Sequence, residues 1–401
     1  PARPRVRLPL GRPVELEQRE PLADPPRRAA ARPAGRDGGP HGRGGALVGR
    51  LAAQLGQMRG AAMKVGQMLS LIEFDGLPQE QQDELQRKLA ALRDDVPPAT
   101  IAFVKTQDRA AGVARALDLL GLNPVEGKRL LIKPNYNTAD PCPGSTHNDT
   151  LRALVAWAGA HGADAISVGD RSYAGARAVM TRLGVFSLAE ELGFEAIPFN
   201  DLPDTPDNWE WVQPQDGHWR YGFLIARPAV DAEALITTSC LKTHQYGGQI
   251  TMSLKNSVGL LPKAGRLGDR TVDLMSELHG SQHMRKMIAE INLAYTPDLV
   301  VVDGIEAFTH GGPMTGTRAL AEVVLAGTDR VALDAVGVAI LRKFGTTDTV
   351  SRGRIFDVEQ IARAAALGLG VGSAEQITLL TDDPASAAYA AEIETILHEQ
   401  G

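Results

Sequence analysis

The sequence predicts an α/β fold with a mostly parallel sheet and helices on both of its faces. Two observations lead to this class. Beyond Thr100, short runs rich in β-branched residues alternate with stretches of helical periodicity. The runs are almost continuously apolar, which is typical of parallel strands buried on both faces. Such alternation indicates βαβ crossovers, so we expect helices to cover the sheet from both sides.

The apolar runs and the periodic stretches define the elements in chain order. The predicted strands are Ile101–Lys105, Arg129–Asn135, Ala165–Asp170, Glu195–Phe199, Ala234–Ser239, Leu299–Asp303 and Val323–Ala326. The predicted helices include Asp149–His161, Ala176–Leu183, Met284–Tyr295, Val331–Phe344 and Asp357–Leu367. We expect these elements to form one α/β domain over residues 100–401, either as a single body or as two lobes.

The segment 208–225 departs from the alternation. It contains Trp209, Trp211 and Trp219, and Asp216-Gly217 lies between two alternating runs. This pattern is typical of a β-hairpin. Two interpretations remain open, an aromatic flap over a functional site and an edge hairpin that covers the sheet.

The first 98 residues differ in composition from the α/β domain. Residues 1–45 contain ten arginines, no lysine and nine prolines. A segment with so few large apolar residues buries too little surface to offset its ordering entropy, so we predict a disordered tail. Residues 46–98 show apolar residues at spacings of three and four, which predicts a helical segment that ends at Pro97-Pro98.

Composition excludes several classes of protein. The 401 residues carry a net charge of −6, so an extended nucleic-acid-binding surface is not expected. The sequence contains no run of about 18 apolar residues, so it predicts no membrane span. Cys142 and Cys240 are the only cysteines, too few for a four-thiolate iron–sulfur or zinc site. A reducing cytoplasmic location is the default expectation for such a chain.

Polar residues concentrate where predicted strands end, which is where open parallel sheets bind ligands. Lys133 and Asn135 end the strand that starts at Arg129, and His147 lies at the start of the next helix. Asp170 ends the following strand and could hold a metal ion, a substrate hydroxyl or an arginine. For Lys133 and His147, a solvated lysine and a helix-capping histidine are the simpler alternatives.

The densest polar cluster follows the strand that starts at Ala234. Lys242 and His244 lie two residues apart, so they point the same way in an extended chain. Lys255 and Asn256 lie inside an apolar stretch, where a buried lysine needs a partner or a shifted pKa. Lysines and a histidine around a glycine-rich loop predict a site for a small phosphate or carboxylate.

Two further carboxylates lie in apolar surroundings. Asp303 ends the strand that starts at Leu299, and a glycine-rich loop follows it. Asp334 lies among apolar residues of a predicted helix, so it should pair with a lysine or coordinate a cation. Together with Asp170, these residues are the candidate ligands of a divalent metal.

The same residues resemble the successive motifs of the domain-of-unknown-function 362 family from about residue 100 to about 395. The matching motifs are Lys133-Pro134-Asn135, Thr146-His147, Gly169-Asp170, Leu241-Lys242-Thr243-His244, Ser253-Leu254-Lys255-Asn256, Asp303-Gly304 and Ala332-Leu333-Asp334-Ala335. The resemblance implies a cytoplasmic α/β protein whose reaction the family name leaves open. Some members carry ferredoxin-type cysteine clusters, which this chain lacks.

A shorter segment resembles a second family. Residues 56–71, with Lys64-Val65-Gly66-Gln67, are similar to the N-terminal extension of UbiB-type atypical kinases. The kinase lobes that would follow are absent, because the α/β pattern begins at Thr100. The resemblance therefore implies a kinase-like fragment without kinase activity.

Three hypotheses about function follow from these patterns. The first is an enzyme acting on a small anionic substrate, in which His147, His244 and Lys242 serve catalysis. Substrate binding would fall to Lys133, Asn135, Lys255 and Asn256, and a divalent metal to Asp170, Asp303 and Asp334. The second hypothesis is a non-catalytic carrier of a ligand or metallocofactor, and the third is an accessory protein of a UbiB-type pathway.

Overall fold

The structure is a computed structural model, and it describes residues 96–401. The predicted tail at 1–45 and the helical, UbiB-like segment lie outside these residues, apart from the last three positions of the segment. Within the described part of the chain, no helix is long and apolar enough to cross a membrane.

Thirteen strands are described. Their bounds are β1 Ala99–Lys105, β2 Arg129–Lys133, β3 Ala165–Asp170, β4 Glu195–Pro198, β5 Trp209–Val212, β6 Phe223–Ala226, β7 Ala234–His244, β8 Gln249–Thr251, β9 Gly265–Leu267, β10 Arg270–Val272, β11 Leu299–Gly311, β12 Gly316–Gly327 and β13 Ile377–Leu380.

Eleven α-helices are described in the same range. Their bounds are α1 Arg109–Leu120, α2 Asn148–Ala160, α3 Ala176–Arg182, α4 Val185–Leu192, α5 Arg227–Val230, α6 Leu274–Gly280, α7 Met284–Ile291, α8 Arg330–Lys343, α9 Asp348–Ser351, α10 Glu359–Ala366 and α11 Pro384–Gln400. A 3₁₀ helix at Lys255–Leu260 also matters for the site.

Nine strands form the central sheet, in the order β13-β1-β12-β11-β7-β2-β3-β4, with β8 paired to β7. Neighbouring strands along this order are parallel, except that β12 is antiparallel to both β1 and β11. The prediction of an α/β fold with a mostly parallel sheet is therefore confirmed. The predicted strand at Val323–Ala326 belongs to β12, which returns from β11 through a short connection and so runs the other way.

Both faces of the sheet are buried. In β1, the side chains of Ile101 and Phe103 join one apolar core, and those of Ala102 and Val104 join a second core on the opposite face. Alternate residues of a strand point to opposite faces, so each face needs its own cover. Residues of α8, α10 and α11 supply the first core, and residues of α1 to α4 supply the second.

The aromatic segment forms a two-stranded antiparallel ribbon from β5 and β6, separate from the central sheet. Asp216-Gly217 is not a tight turn between them, because the connection spans residues 213–222. Trp209 and Trp219 are buried in a third core, where they meet Leu131 of β2 and residues of α6 and α7. The ribbon therefore covers one side of the sheet.

Candidate functional site

A cavity of about 590 Å³ opens at the carboxyl ends of β2, β3 and β7. The predicted site residues that line it are Lys133, Asn135, Asp170, His244, Lys255 and Asn256. They come from positions more than a hundred residues apart. They meet because β3, β2 and β7 are consecutive in the sheet and parallel, so that their ends lie at one edge. No residue of the aromatic segment 208–225 lines this cavity.

Lys133 and Asp170 form a buried ion pair at the base of the cavity. The Lys133 Nζ lies 2.8 Å from Asp170 Oδ1 and also donates to the Asn256 Oδ1 at 2.7 Å and the Pro134 carbonyl at 2.8 Å. Burial lowers the pKa of Lys133 and raises the pKa of Asp170, while the attraction between the two charges opposes both shifts. The three acceptors occupy the three ammonium hydrogens, so Lys133 has none left for a ligand.

Gly259 makes room for this pair. A Cβ atom at Gly259 would lie 2.1 Å from Asp170 Oδ1 and 2.6 Å from Lys133 Nζ. Both contacts are shorter than any van der Waals separation, so an added methyl group would displace the buried ion pair. The 3₁₀ helix that contains Gly259 therefore approaches the ion pair closely only because this residue has no side chain.

Lys242 lies behind the cavity wall and does not line the cavity. Its Nζ donates to Asn135 Oδ1 at 3.0 Å and to the Gly144 carbonyl at 2.5 Å, and the side chain is fully buried. Burial lowers the pKa of Lys242. These contacts fix Asn135 and the loop that contains Gly144, so the geometry gives Lys242 a positioning role.

His244 and Lys255 lie next to each other on the cavity wall. A Cβ at Gly248 would meet both the Lys255 Cε, at 2.7 Å, and the His244 ring, at 2.9 Å. Burial, with the positive charge of Lys255 second, lowers the pKa of His244 to about 2, so the ring is neutral at physiological pH. Its Nδ1 accepts the Gly248 N–H at 3.3 Å, which places the ring proton on Nε2.

Lys255 is the amine with the most unusual environment. Burial, and the charge of Lys242 second, lowers the pKa of Lys255 to about 8. Among residues 96–401, no acceptor forms a hydrogen bond or ion pair with its Nζ. An amine that titrates near neutrality and faces a cavity has hydrogens available for a ligand.

Arg171 also lines the cavity, and the sequence analysis did not propose it as a site residue. It is 6% exposed, and its Nε is a buried donor without a partner among the described residues. The main-chain N–H of Arg171 donates to Asp170 Oδ1 at 2.8 Å, which links Arg171 to the aspartate that ends the strand. Its position directly after a strand-terminal aspartate was the available signal, but an arginine was considered there only as one of three possible partners of that aspartate, which pairs with Lys133.

His147 does not line the cavity, contrary to the expectation of a shared site with Lys133. It is the N-cap residue of α2, and its Nδ1 accepts the N–H of Asp149 at 3.1 Å. The contacts of His147 are therefore those of a helix-capping residue. The helix start is close to Lys133 in sequence, but the intervening loop carries it away from the cavity lining.

The three candidate metal ligands lie in different surroundings. The Asp303 carboxylate accepts hydrogen bonds from Arg109 Nε at 2.9 Å and Thr150 Oγ1 at 2.7 Å, which belong to α1 and α2. Asp334 on α8 accepts the N–H groups of Ser253 at 2.7 Å and Leu254 at 3.2 Å. Among the described residues no lysine pairs with Asp334, and two backbone amides supply these hydrogen bonds.

The donor set does not fit a shared divalent metal. In the part of the chain that the structure describes, no three His, Cys, Asp or Glu side chains come together as a metal site. Of the three aspartates, Asp170 alone lines the cavity, and its two oxygens are engaged by Lys133, Arg171 N–H and Tyr136 N–H. We therefore derive no chemical step through a metal at these positions.

Comparisons with known proteins place the chain in a family. The family described as "Domain of unknown function (DUF362)" matches residues 130–339. The thylakoid-associated protein sll1697 of Synechocystis sp. is 27% identical over 219 residues, which cover 54% of this chain and 64% of that protein. The chain thus spans less than two thirds of this relative's length.

The fold also has a distant likeness to solved structures. The lactate racemase apoprotein from Thermoanaerobacterium thermosaccharolyticum aligns with a TM-score of 0.32 and 15% identity, over 53% of this chain and 51% of that chain. The family match covers more than half of the sequence and includes every strand that ends at the cavity. The protein therefore belongs to the DUF362 family.

Proposed function

We propose that the protein is an enzyme that transfers a proton to or from a small carboxylate or phosphate held in the cavity. One observation carries this proposal. Besides Lys133, three cationic side chains line the cavity, those of Arg171, Lys255 and Lys263, and within residues 96–401 none of the three has a carboxylate at salt-bridge distance. Asp170 is the one acidic residue of the cavity lining in this range, and it is neutralised by Lys133. The positive charge that remains favours an anionic ligand.

The proposed roles follow from the environment of each group. Arg171 pairs with the anionic group, since a guanidinium presents several donors in one plane. Lys255 exchanges the proton, because a pKa of about 8 lets both of its forms coexist near neutral pH. His244 is neutral and offers its Nε2–H as a hydrogen-bond donor to the substrate. Lys133, Asn256 and Lys242 hold the cavity wall in place.

The test is an exchange assay in D₂O with a panel of small carboxylic acids and phosphate esters. Mass spectrometry would detect deuterium incorporation or new products, and calorimetry would measure binding of the same compounds. We expect at least one compound to bind and to exchange. If every compound that binds remains unchanged across pH 6–9, the non-catalytic carrier describes the protein and the proposed reaction is wrong.

Two variants of Lys255 separate binding from proton transfer. Lys255→Arg keeps the positive charge but cannot act as a base, so we expect affinity within a few-fold of wild type and exchange reduced about a hundredfold or more. Lys255→Met removes both properties and should weaken binding as well. Arg171→Gln is the matched variant for the anion-binding role, and we expect a loss of about tenfold or more in affinity. Exchange that persists in Lys255→Arg would contradict the role of Lys255.

A further inference from the structure

The mouth of the cavity is lined differently from its base. Two tyrosines lie at the mouth, Tyr173 with 81% of its surface exposed and Tyr246 with 55%. Apolar side chains from Val258, Met275 and Met314 also line the cavity, as do the exposed polar side chains of Lys263, Ser276 and His279. The buried charged and amide groups described above form the base. The cavity therefore combines a buried polar base with a mouth to which two exposed aromatic rings contribute.

The exposure of the two tyrosines is unusual within this structure. Among residues 96–401, the large apolar side chains that are clearly exposed are Leu122, Tyr173, Tyr246, Leu320 and Phe344. Two of the three aromatic ones line the same cavity, although single exposed apolar residues scattered over a surface need no explanation. Paired exposed aromatics at one opening indicate a surface that a ligand covers.

Each tyrosine contacts a neighbouring residue of the cavity lining. The Tyr173 N–H donates to the carbonyl of Asn137 and to its Oδ1, each at 3.2 Å. Tyr246 lies in the turn between β7 and β8, and its ring is roughly perpendicular to that of His244, with the ring centroids 5.9 Å apart. These contacts place the Tyr173 backbone and the Tyr246 ring beside the cavity.

The sheet order brings the two tyrosines to one cavity. Tyr173 follows β3 and Tyr246 follows β7, and β2 lies between these two strands. Small anions such as acetate would leave a cavity of about 590 Å³ mostly filled with water, whereas an anion with a ring would fill more of it.

We propose that the ligand is an anion that carries a planar ring, with the anionic group at Arg171 and Lys255 and the ring at the mouth, in contact with Tyr173 and Tyr246. This inference rests on the proposed anion site and adds the class of ligand to it. The ring would gain both apolar burial and aromatic contact. The carboxylate or phosphate would replace water at the partnerless donors of the base.

Calorimetry with three probe acids tests the proposal. Benzoate carries a planar ring, cyclohexanecarboxylate has a similar size without planarity, and acetate has neither. We expect benzoate to bind about tenfold more tightly than either of the others. Equal binding of the two ring acids would overturn the requirement for a planar ring. Equal binding of all three acids would overturn the whole ligand class while leaving the anion site intact. If none of the acids binds, the anion site of the proposed function is itself contradicted.

Variants at the mouth locate the ring. Tyr246→Ala and Tyr173→Ala should each reduce the preference for benzoate over acetate by about threefold or more, while Tyr246→Phe and Tyr173→Phe keep it because the ring remains. Leu320→Ala removes an exposed apolar side chain outside the cavity and should leave the preference unchanged. Circular dichroism would verify that each variant is folded. A benzoate preference that survives both alanine substitutions would contradict the assigned position of the ring.

Discussion

Lys255 is the residue on which the proposed chemistry depends, and its pKa of about 8 makes a prediction about pH. Its lowered pKa means that the amine carries a proton below pH 8 and loses it above. Anion affinity should therefore fall as pH rises from 7 to 10, by about tenfold or more. In Lys255→Arg the charge persists, so the affinity should stay flat over the same range. Calorimetric titrations at several pH values would show this, and parallel curves for the two proteins would contradict it.

Gly259 gives a second prediction at the scale of one residue. Gly259→Ala would push a methyl group against the buried Lys133–Asp170 pair, so we expect a loss of about 3 kcal/mol or more in the free energy of unfolding. Gly159→Ala is the matched control, because it lies in α2 with no atom near its added Cβ, and it should be neutral or slightly stabilising. Urea unfolding would measure both. Equal stability of the two variants would mean that the pair is loosely packed.

The sequence located several site residues from one rule, that ligands bind where parallel strands end. Lys133, Asp170 and His244 follow this rule and line the cavity. For Asp170, a metal ion, a substrate hydroxyl and an arginine all stayed open as partners, because which group pairs with a carboxylate depends on three-dimensional distance. His147 was predicted at the start of the helix that follows the Lys133 strand. The path of the intervening loop, which no sequence pattern reports, carries it away from the cavity lining. Tyr173 and Tyr246 had no signal, since single tyrosines in loops are ordinary.

At the scale of elements, α8 contributes to the site through Asp334, whose carboxylate accepts the N–H groups of Ser253 and Leu254. These two residues precede Lys255, so Asp334 fixes the start of the segment that presents the amine. Burial raises the pKa of Asp334 to about 7, although the two N–H groups oppose the shift. The carboxyl therefore titrates in the folded protein well above its ordinary range.

This shift predicts how stability depends on pH. Because the pKa is higher in the folded state, the folded protein binds more protons between pH 4 and 7, and the contribution of Asp334 to stability falls as pH rises through that window. The stability of wild type relative to Asp334→Asn should decline by up to about 4 kcal/mol from pH 4 to pH 7. Urea unfolding at four pH values would measure it. A stability difference between the two proteins that stays constant with pH would show that the pKa of Asp334 is ordinary. A difference that increases with pH would show that this pKa is lowered.

Helices and strands were predictable from sequence where the hydrophobic periodicity extends over many residues. The length and direction of a strand were less predictable where they depend on the strand that pairs with it. The strands β7 and β11 extend beyond their predicted ends, because β8 and β12 pair with the extensions. The helices α1 and α11 were missed, although Asp108 before α1 and Asp383-Pro384 at α11 are helix-start signals. The antiparallel direction of β12 has no counterpart in sequence periodicity, which reports burial and not strand polarity.

At the scale of the whole molecule, the cavity exists because of the strand order β11-β7-β2-β3. This order places the ends of β2, β3 and β7 together, and no pattern along the chain encodes it. The fold class was predictable because it depends on the alternation of elements. The expected grouping of Asp170, Asp303 and Asp334 does not occur, since the three lie beside different helices and strands, and their separation could not be predicted from sequence.

The extent of the cavity predicts the effect of truncation. Among the residues that the structure describes, those that line the cavity lie between positions 133 and 314. A chain that begins at residue 96 should therefore fold and bind anions with affinity within about twofold of the 401-residue protein. Thermal unfolding and calorimetry on both chains would measure this. A truncated chain that loses binding would show that residues 1–95 contribute to the site, and unchanged binding would confine any UbiB-like role to interactions elsewhere.

The central claim is that Arg171 and Lys255 hold an anion in this cavity. A crystal structure of the protein grown with 4-bromobenzoate tests it most directly, because the anomalous signal of bromine fixes the orientation of the ligand. We predict the carboxylate within about 3 Å of the Arg171 guanidinium and Lys255 Nζ, with bromine towards the mouth. A cavity that holds only water, or a ligand whose carboxylate faces away from both cations, would contradict the claim.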